Sequence, residues 1–356
     1  MKVVTIVGAR PQFIKAAPLS RALRLHHTEI LVHTGQHYDD NMSAVFFNEL
    51  EISLPDYNLG IGSALHGAQT GAMLSGIEPV LLREHPDWVL IYGDTNSSLA
   101  GALAAAKLHI RVAHVEAGLR SFNRRMPEEV NRVVADHLSD LLLCPSQTAV
   151  DNLANEGILV GVHLVGDVMA DALAYAVGRA ATRSNILERL GLTERGYLLA
   201  TVHRPENTDN VLHLQDILAA FGEIREPIVF PIHPRTRKAL ESAGLGTPSG
   251  DLRLIDPVGY LDMVQLESSA RMILTDSGGM QKEAYWLGVP CVTLREETEW
   301  VETVQTGWNQ VVGADRQRIV QAVQSSSRPA DHPQLYVDGS AAVQCVTCLE
   351  SASVSR

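Results

Sequence analysis

The sequence predicts an α/β protein made of two Rossmann-like, doubly wound domains that face each other across a cleft. Short β-branched runs alternate with helical stretches along the chain, which is typical of parallel sheets covered on both faces. The same scheme occurs once in each half of the sequence. The length of 356 residues also exceeds that of an ordinary single domain.

Largely apolar runs of five or six residues predict the buried strands of both domains. In the first half they lie at residues 3–7, 29–34, 88–93, 111–116 and 141–145. In the second half they lie at residues 197–202, 227–232, 252–257, 272–276 and 289–294. Between the halves, residues 162–175 predict a last strand, a glycine turn and a crossing helix, with a hinge near residues 166–172. We therefore expect domains at 1–167 and 168–338, and a C-terminal helix in 339–356 that packs back on the first domain.

Composition and charge restrict the partners of this chain. A net charge of −12 speaks against a nucleic-acid partner, because binding the phosphate backbone needs clustered Lys and Arg. No apolar run approaches the ~20 residues that span a bilayer, so we expect no membrane partner. The N-terminal run MKVVTIVGARPQF is interpreted as a buried strand and not as a secretion signal. Four scattered cysteines predict no disulfide framework and favour the cytoplasm; Cys345 and Cys348 fit core packing on one helix face.

Positive charge follows the first predicted strand. The strand ends in the sequence GARP (8–11), and the helix that follows contains Lys15. Arg10 and Lys15 are therefore candidates for holding a phosphate. A dinucleotide fingerprint is not supported, because this turn has a single glycine and no acidic residue closes the second strand.

Carboxylates occur at three other places in the first half. Asp94 follows strand 88–93, Glu116 ends strand 111–116, and Glu128 opens a helix after the loop SFNRRMP. The neighbouring Glu129 is interpreted as a partner of the helix dipole. Three carboxylates at the strand-end surface suit residues that exchange protons with a substrate. Neither a zinc-like spacing nor a DxD motif is present, so we expect no metal.

The strand ends of the second half carry groups that suit a phosphate. His203 and His233 each follow a strand and each has an arginine close by in the sequence. The run TDSGG (275–279) breaks a strand and starts a helix, whose N-terminus and glycines favour close approach of a phosphate. Glu283, one turn further on, would repel a phosphate and suits a sugar diol instead. A nucleotide-sugar has both parts, so we expect phosphate binding in the second domain and proton transfer in the first.

Seven segments of the chain resemble the non-hydrolysing UDP-N-acetylglucosamine 2-epimerases, and the resemblance spans nearly the whole chain. They are GARPQFIK (8–15), GDTNSSLAGALAA (93–105), HVEAGLRS (114–121), PEEVNR (127–132), HRPENTDN (203–210), PIHPRTR (231–237) and TDSGGMQKEA (275–284). The resemblance implies the two-domain glycosyltransferase-B fold, with UDP bound in the second domain. It also implies a homodimer and neither NAD nor a metal as cofactor.

The same resemblance implies roles for single residues. Catalysis is assigned to five of them: Asp94, Glu116, Glu128, Arg132 and His203. Binding of the UDP-sugar substrate is assigned to seven others: Arg10, Lys15, His233, Ser277, Gly278, Gly279 and Glu283. Among these, Ser277, Gly278 and Gly279 would hold the diphosphate, and Glu283 would hold the uridine ribose.

Two departures from the family pattern bear on regulation and substrate. Allosterically activated members carry a basic, Gln-containing segment where this chain has QHYDDNM (36–42), which speaks against such activation here. The segments GARPQFIKA, SFNRRMPEEVNR, GDVMADA and TEWVE (298–302) look more like the branch that acts on UDP-2,3-diacetamido-2,3-dideoxyglucuronate. In that branch, Arg124 and Arg125 are candidates for pairing with a uronate carboxylate.

We therefore predict an isomerase, a UDP-N-acetylglucosamine 2-epimerase. It would interconvert UDP-GlcNAc and UDP-ManNAc by elimination and re-addition of UDP through a 2-acetamidoglycal. The alternatives are the same chemistry on the diacetamido uronate, or a glycosyltransferase with a UDP-sugar donor. A non-catalytic UDP-sugar sensor is a further alternative, from a different class. Carboxylates at three places favour the epimerase, since a transferase needs a single base.

Overall fold

The computed structural model describes residues 1–35, 51–246, 250–335 and 340–354, and it confirms the α/β class. The segment 36–42, on which the expectation about allosteric activation rests, lies outside these residues. The chain divides into two compact units, Met1–Tyr175 with the C-terminal helix, and Ala176–Leu335. The division falls inside the helix Val168–Arg183, whereas the sequence places the boundary just before it.

The described residues of the first unit form a sheet of seven parallel strands in the order β3-β2-β1-β4-β5-β6-β7. Its described elements are, in chain order, β1 (Lys2–Val7), α1 (Arg10–Arg24), β2 (Thr28–His33), β3 (Tyr57–Asn58), α2 (His66–Glu84), β4 (Trp88–Tyr92), α3 (Asn96–Lys107), β5 (Arg111–Val115), α4 (Pro127–Leu138), β6 (Leu141–Cys144), α5 (Gln147–Asn155), β7 (Val162–Leu164) and α6 (Val168–Arg183).

In the second unit, the residues that the structure describes form a sheet of six parallel strands in the order β10-β9-β8-β11-β12-β13. Its described elements, after the end of α6, are α7 (Ile186–Leu190), β8 (Leu198–Thr201), α8 (Pro205–Thr208), α9 (Val211–Glu223), β9 (Ile228–Pro231), α10 (Pro234–Ser242), β10 (Leu252–Ile255), α11 (Tyr260–Ser269), β11 (Met272–Thr275), α12 (Gly278–Trp286), β12 (Cys291–Thr293), α13 (Val301–Gln305), β13 (Asn309–Val311) and α14 (Arg316–Ser325). The last helix, α15 (Ala341–Val354), returns to the first unit.

Both sheets are buried on two faces, which explains why their strands are apolar at successive positions. All five residues of β4 are buried, and one of its faces joins a core with Val4, Ile6 and the inner sides of α2 and α3. In the second unit, Phe221 from α9 meets Phe230 from β9 edge to face, with ring centroids 6.1 Å apart. Each unit therefore has a hydrophobic core of its own.

Helix α15 is tied to the first unit by polar contacts along its length. Glu350 accepts a hydrogen bond from His27 at 2.7 Å, and Ser353 accepts one from the indole of Trp88 at 2.9 Å. Both of its cysteines are free thiols: Cys345 is buried and Cys348 is half-buried. This arrangement fits the core-packing interpretation of the CxxC sequence.

In each sheet the chain reverses its winding direction between two neighbouring strands, β1 and β4 in the first unit and β8 and β11 in the second. Open α/β sheets bind ligands beyond the carboxyl ends of the strands at such a point. Half of the twelve site residues that the sequence singled out lie in the loops after β1, β4, β8 and β11 or in the first turns of the helices that follow: Arg10, Asp94, His203, Ser277, Gly278 and Gly279. No helix among the described residues is both long and apolar enough to cross a membrane.

Candidate active site

The turn between β1 and α1 is fixed to the end of β4 by Gln12. Its side-chain oxygen accepts hydrogen bonds from the N–H of Gly8 at 2.8 Å and of Ala9 at 3.0 Å, and its amide group donates to the carbonyl of Tyr92 at 2.8 Å. A Cβ on Gly8 would lie 2.1 Å from the hydroxyl of Ser97 on α3, so the close approach of the β1–α1 turn to this helix requires glycine. Gln12 therefore fixes the turn that carries Arg10, a role that the sequence did not indicate.

Lys15 reaches from α1 to the predicted catalytic carboxylate of Glu116. Its Nζ lies 2.5 Å from Oε2 of Glu116, and the two side chains are 15% and 17% exposed. Burial opposes the charge of Lys15, but the carboxylates of Glu116, Asp94 and Asp167 together outweigh this effect and raise the pKa of Lys15. Lys15 is therefore a cation among carboxylates in the protein without ligand, and its contact with a phosphate stays a prediction.

The backbone around Glu116 has an uncommon conformation. Glu116 has φ +70°, in the left-handed region, and its N–H and that of Ala117 both donate to the carbonyl of Leu143. Such a conformation costs roughly 1–3 kcal/mol and is found preferentially at functional sites. Gly93, also at positive φ, lies beside this group: a Cβ there would be 3.4 Å from Nζ of Lys15. The loop after β5 thus holds Glu116 in one orientation against Lys15.

Asp94 is paired with Arg132, one of the predicted catalytic residues. The guanidinium of Arg132 contacts Oδ2 of Asp94, and its other nitrogen lies 3.0 Å from Oε2 of Glu129. Asn131, the preceding residue on α4, donates a hydrogen bond to the carbonyl of Asp94 at 2.9 Å. Helix α4 therefore contributes two neighbouring side chains that fix both the backbone and the carboxylate of Asp94.

Glu129 has a larger role than that of a helix-dipole partner. It is only 2% exposed, and its carboxylate accepts hydrogen bonds from the N–H and hydroxyl of Ser121 and from the N–H of Phe122. Burial raises the pKa of Glu129, but these donors and Arg132 outweigh it and leave the pKa below its usual value. Glu129 thus holds the loop before α4 in place.

The structure does not join Glu128 to this network. Its side chain is exposed on the first turn of α4, and no described residue forms a hydrogen bond or ion pair with it. Arg124 and Arg125 are exposed in the loop before it. Arg10 begins α1, and its side chain lies outside the described residues. Among the predicted residues of the first unit, the contacts therefore bring together Lys15, Glu116, Asp94 and Arg132.

In the second unit, the SGG turn forms the N-terminus of α12 as the sequence predicted. The hydroxyl of Ser277 accepts a hydrogen bond from the N–H of Met280 at 3.4 Å, which caps the helix. A Cβ on the buried Gly278 would lie 3.5 Å from Oε2 of Glu299 and 3.8 Å from Nη2 of Arg204. The indole of Trp300 donates to the carbonyl of Gly278 at 2.8 Å. Charged groups of both signs therefore lie beside the helix N-terminus.

Asp276, the residue before this turn, is a buried residue that binds several hydrogen-bond donors, and the sequence predicted no role for it. Its carboxylate is fully buried and accepts hydrogen bonds at 3.0–3.1 Å from the N–H groups of His203 and Arg204 and from the side chain of Asn207. It thereby joins the loops after β8 and β11, on the two sides of the switch point. The acidic residue between a buried strand and the SGG turn is the signal that could have identified it.

His203 and His233 lie next to each other, with ring centroids 5.5 Å apart. Burial lowers the pKa of His203 and outweighs the opposing effect of Asp276, while His233 and Arg204 lower it further. Burial and the charge of Arg235 also lower the pKa of His233, and its Nδ1 accepts a hydrogen bond from the N–H of Arg235 at 3.1 Å. Both rings are therefore neutral at neutral pH, and His233 presents Nε2–H as its donor.

Glu283 is half-buried on α12 and has a second carboxyl group as a neighbour. Glu267 on α11 is 2% exposed, and burial, followed by the charge of Glu283, raises its pKa well above the usual value. Burial and the charge of Glu283 thus favour the protonated form of Glu267, a feature that no motif in the sequence indicates. Across the described parts of both units, no group of three or more His, Cys, Asp or Glu side chains is arranged to hold a metal ion.

Comparisons with known proteins agree with this geometry. The family model described as UDP-N-acetylglucosamine 2-epimerase matches residues 21–350. A UDP-N-acetylglucosamine 2-epimerase homolog from Methanococcus maripaludis is 55% identical over 99% of this chain and 100% of its own length. The UDP-2,3-diacetamido-2,3-dideoxy-D-glucuronate 2-epimerase of Pseudomonas aeruginosa is 51% identical over 96% of this chain and 97% of its own.

A solved structure shows the same fold. The UDP-GlcNAc 2-epimerase of Methanocaldococcus jannaschii, crystallised with UDP-GlcNAc and UDP, matches 99% of this chain and 100% of its own with a TM-score of 0.84 and 44% identity. Sequence and fold therefore agree, and the chain belongs to the UDP-N-acetylglucosamine 2-epimerase family.

Proposed function

We propose that this protein is a non-hydrolysing UDP-N-acetylglucosamine 2-epimerase that interconverts UDP-GlcNAc and UDP-ManNAc. The observation that carries the proposal is the pairing of Glu116 with Lys15, in a unit that also pairs Asp94 with Arg132. Two carboxylates, each held by a cation, suit the removal and return of a proton. The family membership supplies the substrate class.

The chemistry follows from the reaction that these groups must assist. One carboxylate removes the proton from C2 of the sugar, the electron pair of that C–H bond forms the C1=C2 double bond, and the bond from C1 to the phosphate oxygen breaks. UDP and a 2-acetamidoglycal result. A proton then returns to C2 on the other face, and the UDP oxygen adds again to C1. We assign Asp94, Glu116 and Glu128 jointly to these proton transfers, with Arg132 and His203 assisting.

The second unit supplies the groups for the departing UDP. Ser277, Gly278 and Gly279 at the N-terminus of α12 offer backbone donors to the diphosphate, which stabilises its charge as the C1–O bond breaks. His203, His233, Lys15 and Arg10 are proposed to contact the phosphates or the sugar, and Glu283 the ribose hydroxyls. Neutral His203 can donate a hydrogen bond to an anion without the cost of burying a further charge.

A second candidate substrate is UDP-2,3-diacetamido-2,3-dideoxyglucuronate, favoured by the 51% identity to the enzyme named for it. The exposed Arg124 and Arg125 precede Glu128 and offer guanidinium groups to the uronate carboxylate. The two substrates differ in this carboxylate, so they should be offered side by side. Arg124→Ala with Arg125→Ala should reduce turnover of the uronate selectively; equal loss on both sugars would assign the pair no part in substrate choice.

Incubation of the purified protein with UDP-GlcNAc alone tests the proposal. Formation of UDP-ManNAc, followed by proton NMR, is the expected result. An unchanged substrate that turns over only with an acceptor sugar would indicate a glycosyltransferase, and a tight complex without turnover would indicate a UDP-sugar sensor. Conversion of the uronate alone would move the assignment to the second candidate.

Compartment and assembly belong to the same proposal. The four cysteines are free thiols, and three of them are buried, which fits the reducing cytoplasm. A homodimer rests on the family resemblance, and sedimentation equilibrium would test it. The two assignments are independent of the catalytic one.

A further inference from the structure

A buried histidine lies between the loops that carry the two paired carboxylates. His114 on β5 is 0% exposed, and so is the side chain of Asp136 on α4. Nε2 of His114 lies 2.8 Å from the carbonyl oxygen of Gly93, the residue before Asp94. Nδ1 lies 2.7 Å from Oδ1 of Asp136. The ring thus bridges the loop after β4 and helix α4.

Both partners of the ring are hydrogen-bond acceptors. A backbone carbonyl has no proton to donate. Asp136 is ionised, because its Oδ2 accepts hydrogen bonds from Nη1 of Arg120 at 2.6 Å and from the N–H of Gly118 at 3.2 Å. Burial raises the pKa of Asp136, but His114 and Arg120 outweigh burial and leave the pKa below its usual value.

A neutral imidazole cannot satisfy this arrangement. It carries one N–H and one bare nitrogen, so one of its lone pairs would face an oxygen lone pair at 2.7 or 2.8 Å. A buried contact between two acceptors costs the free energy of an unsatisfied polar group, about 1–3 kcal/mol. With a proton on each nitrogen, both contacts become charge-assisted hydrogen bonds.

The charges around the ring are compatible with a buried cation. With a proton on both nitrogens of His114, Asp136 would face two cations, His114 and Arg120. Arg120 is balanced in turn by a bidentate contact with Glu156 at 2.7 and 2.8 Å. Burial raises the pKa of the nearby Cys144 to about 12, so its thiol stays neutral. The set of His114, Asp136, Arg120 and Glu156 therefore carries no net charge, as a buried ionic cluster requires.

We infer that His114 is a buried imidazolium that positions both catalytic loops of the first unit. Its Nε2–H fixes the carbonyl of Gly93 and thereby the start of the Asp94 loop. Its Nδ1–H fixes Asp136, which holds the N–H of Gly118 and thereby the loop that leaves Glu116. His114 contacts the carboxylate of neither Asp94 nor Glu116, so it acts as a positioning residue. This role rests on the proposed function, whereas the positions of the protons on the ring do not.

The proton positions are tested on the unmodified protein, with no substrate present. Long-range nitrogen–proton NMR on protein labelled with 15N-histidine distinguishes a ring nitrogen that carries a proton from a bare one. The spectrum is recorded at a pH at which most exposed histidines are neutral, and His114→Gln identifies the signal. We expect two protonated nitrogens for His114. A bare nitrogen on this ring would overturn the inference.

The positioning role is tested with Asp136→Asn, which keeps the shape of the side chain. The amide of the new Asn can donate to Nδ1, so His114 should become neutral with its proton on Nε2. We expect kcat for epimerisation to fall roughly tenfold to hundredfold, since small misplacements of catalytic groups have effects of this size. UDP affinity should stay within twofold, because the diphosphate groups belong to the other unit.

The control is His163→Gln, an exposed position on β7 of the same sheet, which should change neither the His114 signal nor kcat. If Asp136→Asn removed the Nδ1 proton and left kcat unchanged, the positioning role would be refuted. A wild-type protein that forms no epimer refutes the proposed function instead, and leaves the NMR result standing.

Discussion

Replacement of Gly278 by Ala tests the assignment of the SGG turn to the diphosphate. In the free protein the new methyl group fits, because its nearest neighbours are Oε2 of Glu299 at 3.5 Å, the indole nitrogen of Trp300 at 3.7 Å and Nη2 of Arg204 at 3.8 Å. These are ordinary van der Waals distances. Gly278 has no positive φ, so alanine also suits its backbone, and stability should be unchanged or higher by about 0.4–1 kcal/mol.

Binding of UDP should nevertheless weaken, because in the proposed site the methyl group would obstruct the approach of a phosphate to the N–H groups of the helix. Overpacking of a closely fitted site costs about 1–3 kcal/mol, which corresponds to roughly 5- to 150-fold in affinity. Isothermal titration calorimetry with UDP measures this change. Val at the same position, with two further methyl groups, should weaken binding more.

The matched control is Gly178→Ala on α6, where no atom lies within 4 Å of the added Cβ. It should alter stability in the same direction and leave UDP affinity unchanged. A Gly278→Ala protein that is folded and binds UDP with wild-type affinity would refute the assignment, and the SGG turn would then be an ordinary strand–helix connection.

Three further substitutions test other parts of the account. Glu116→Gln should lower kcat strongly, while the UDP affinity measured by calorimetry is retained. Free glycal and UDP should accumulate if re-addition is slowed more than elimination. A variant with wild-type turnover would show that Glu116 takes no part in the proton transfers. Asp276→Ala leaves the N–H groups of His203 and Arg204 without their acceptor. It should therefore lower the free energy of unfolding in urea by about 1–3 kcal/mol and weaken UDP binding. Unchanged values of both would show that Asp276 does not fix this loop. Glu129 has a lowered pKa in the folded protein, so its contribution to stability is present above its unfolded pKa of ~4.3 and is lost as the pH falls through the folded pKa. The difference in unfolding free energy between wild type and Glu129→Gln should therefore shrink on acidification. A difference that stays constant with pH would contradict this reasoning.

Most of the fold could be predicted from the sequence, because strands buried on both faces leave continuous apolar runs. The runs at 88–93 and 272–276 correspond to β4 and β11, which lie at the two switch points. The short strands β3 and β13, with two and three residues, were not predicted. They pair at or near sheet edges, and their residues form no β-branched run that would distinguish them from loops.

The site could be predicted as a set of residue types at strand ends, but its pairings could not. The contact between Lys15 and Glu116 joins two distant parts of the chain, and only the strand order brings them together. Local sequence patterns carry no information on such pairs. The same reason applies to Asp276, whose donors come from the loop after another strand, and to His114, which lies in an apolar run and looks like a strand interior.

Glu128 shows the opposite case, in which the sequence indicates more than the contacts do. It stands in a segment that resembles the catalytic segment of the family, yet its side chain is exposed on α4 and outside the network of Asp94 and Glu116. A residue that acts on a bound sugar needs no partner within the protein. Its part in catalysis therefore stays a proposal, for which Glu128→Gln is the matching variant.

We propose that epimerisation detaches the proton at C2 of the sugar, and the reaction in deuterium oxide tests this step. A carboxylate that takes the C2 proton exchanges it with solvent before a proton returns on the other face. Mass spectrometry and proton NMR of UDP-ManNAc formed from UDP-GlcNAc should therefore show deuterium at C2. Product that retains its C2 hydrogen completely would contradict the elimination route and the joint role of Asp94, Glu116 and Glu128.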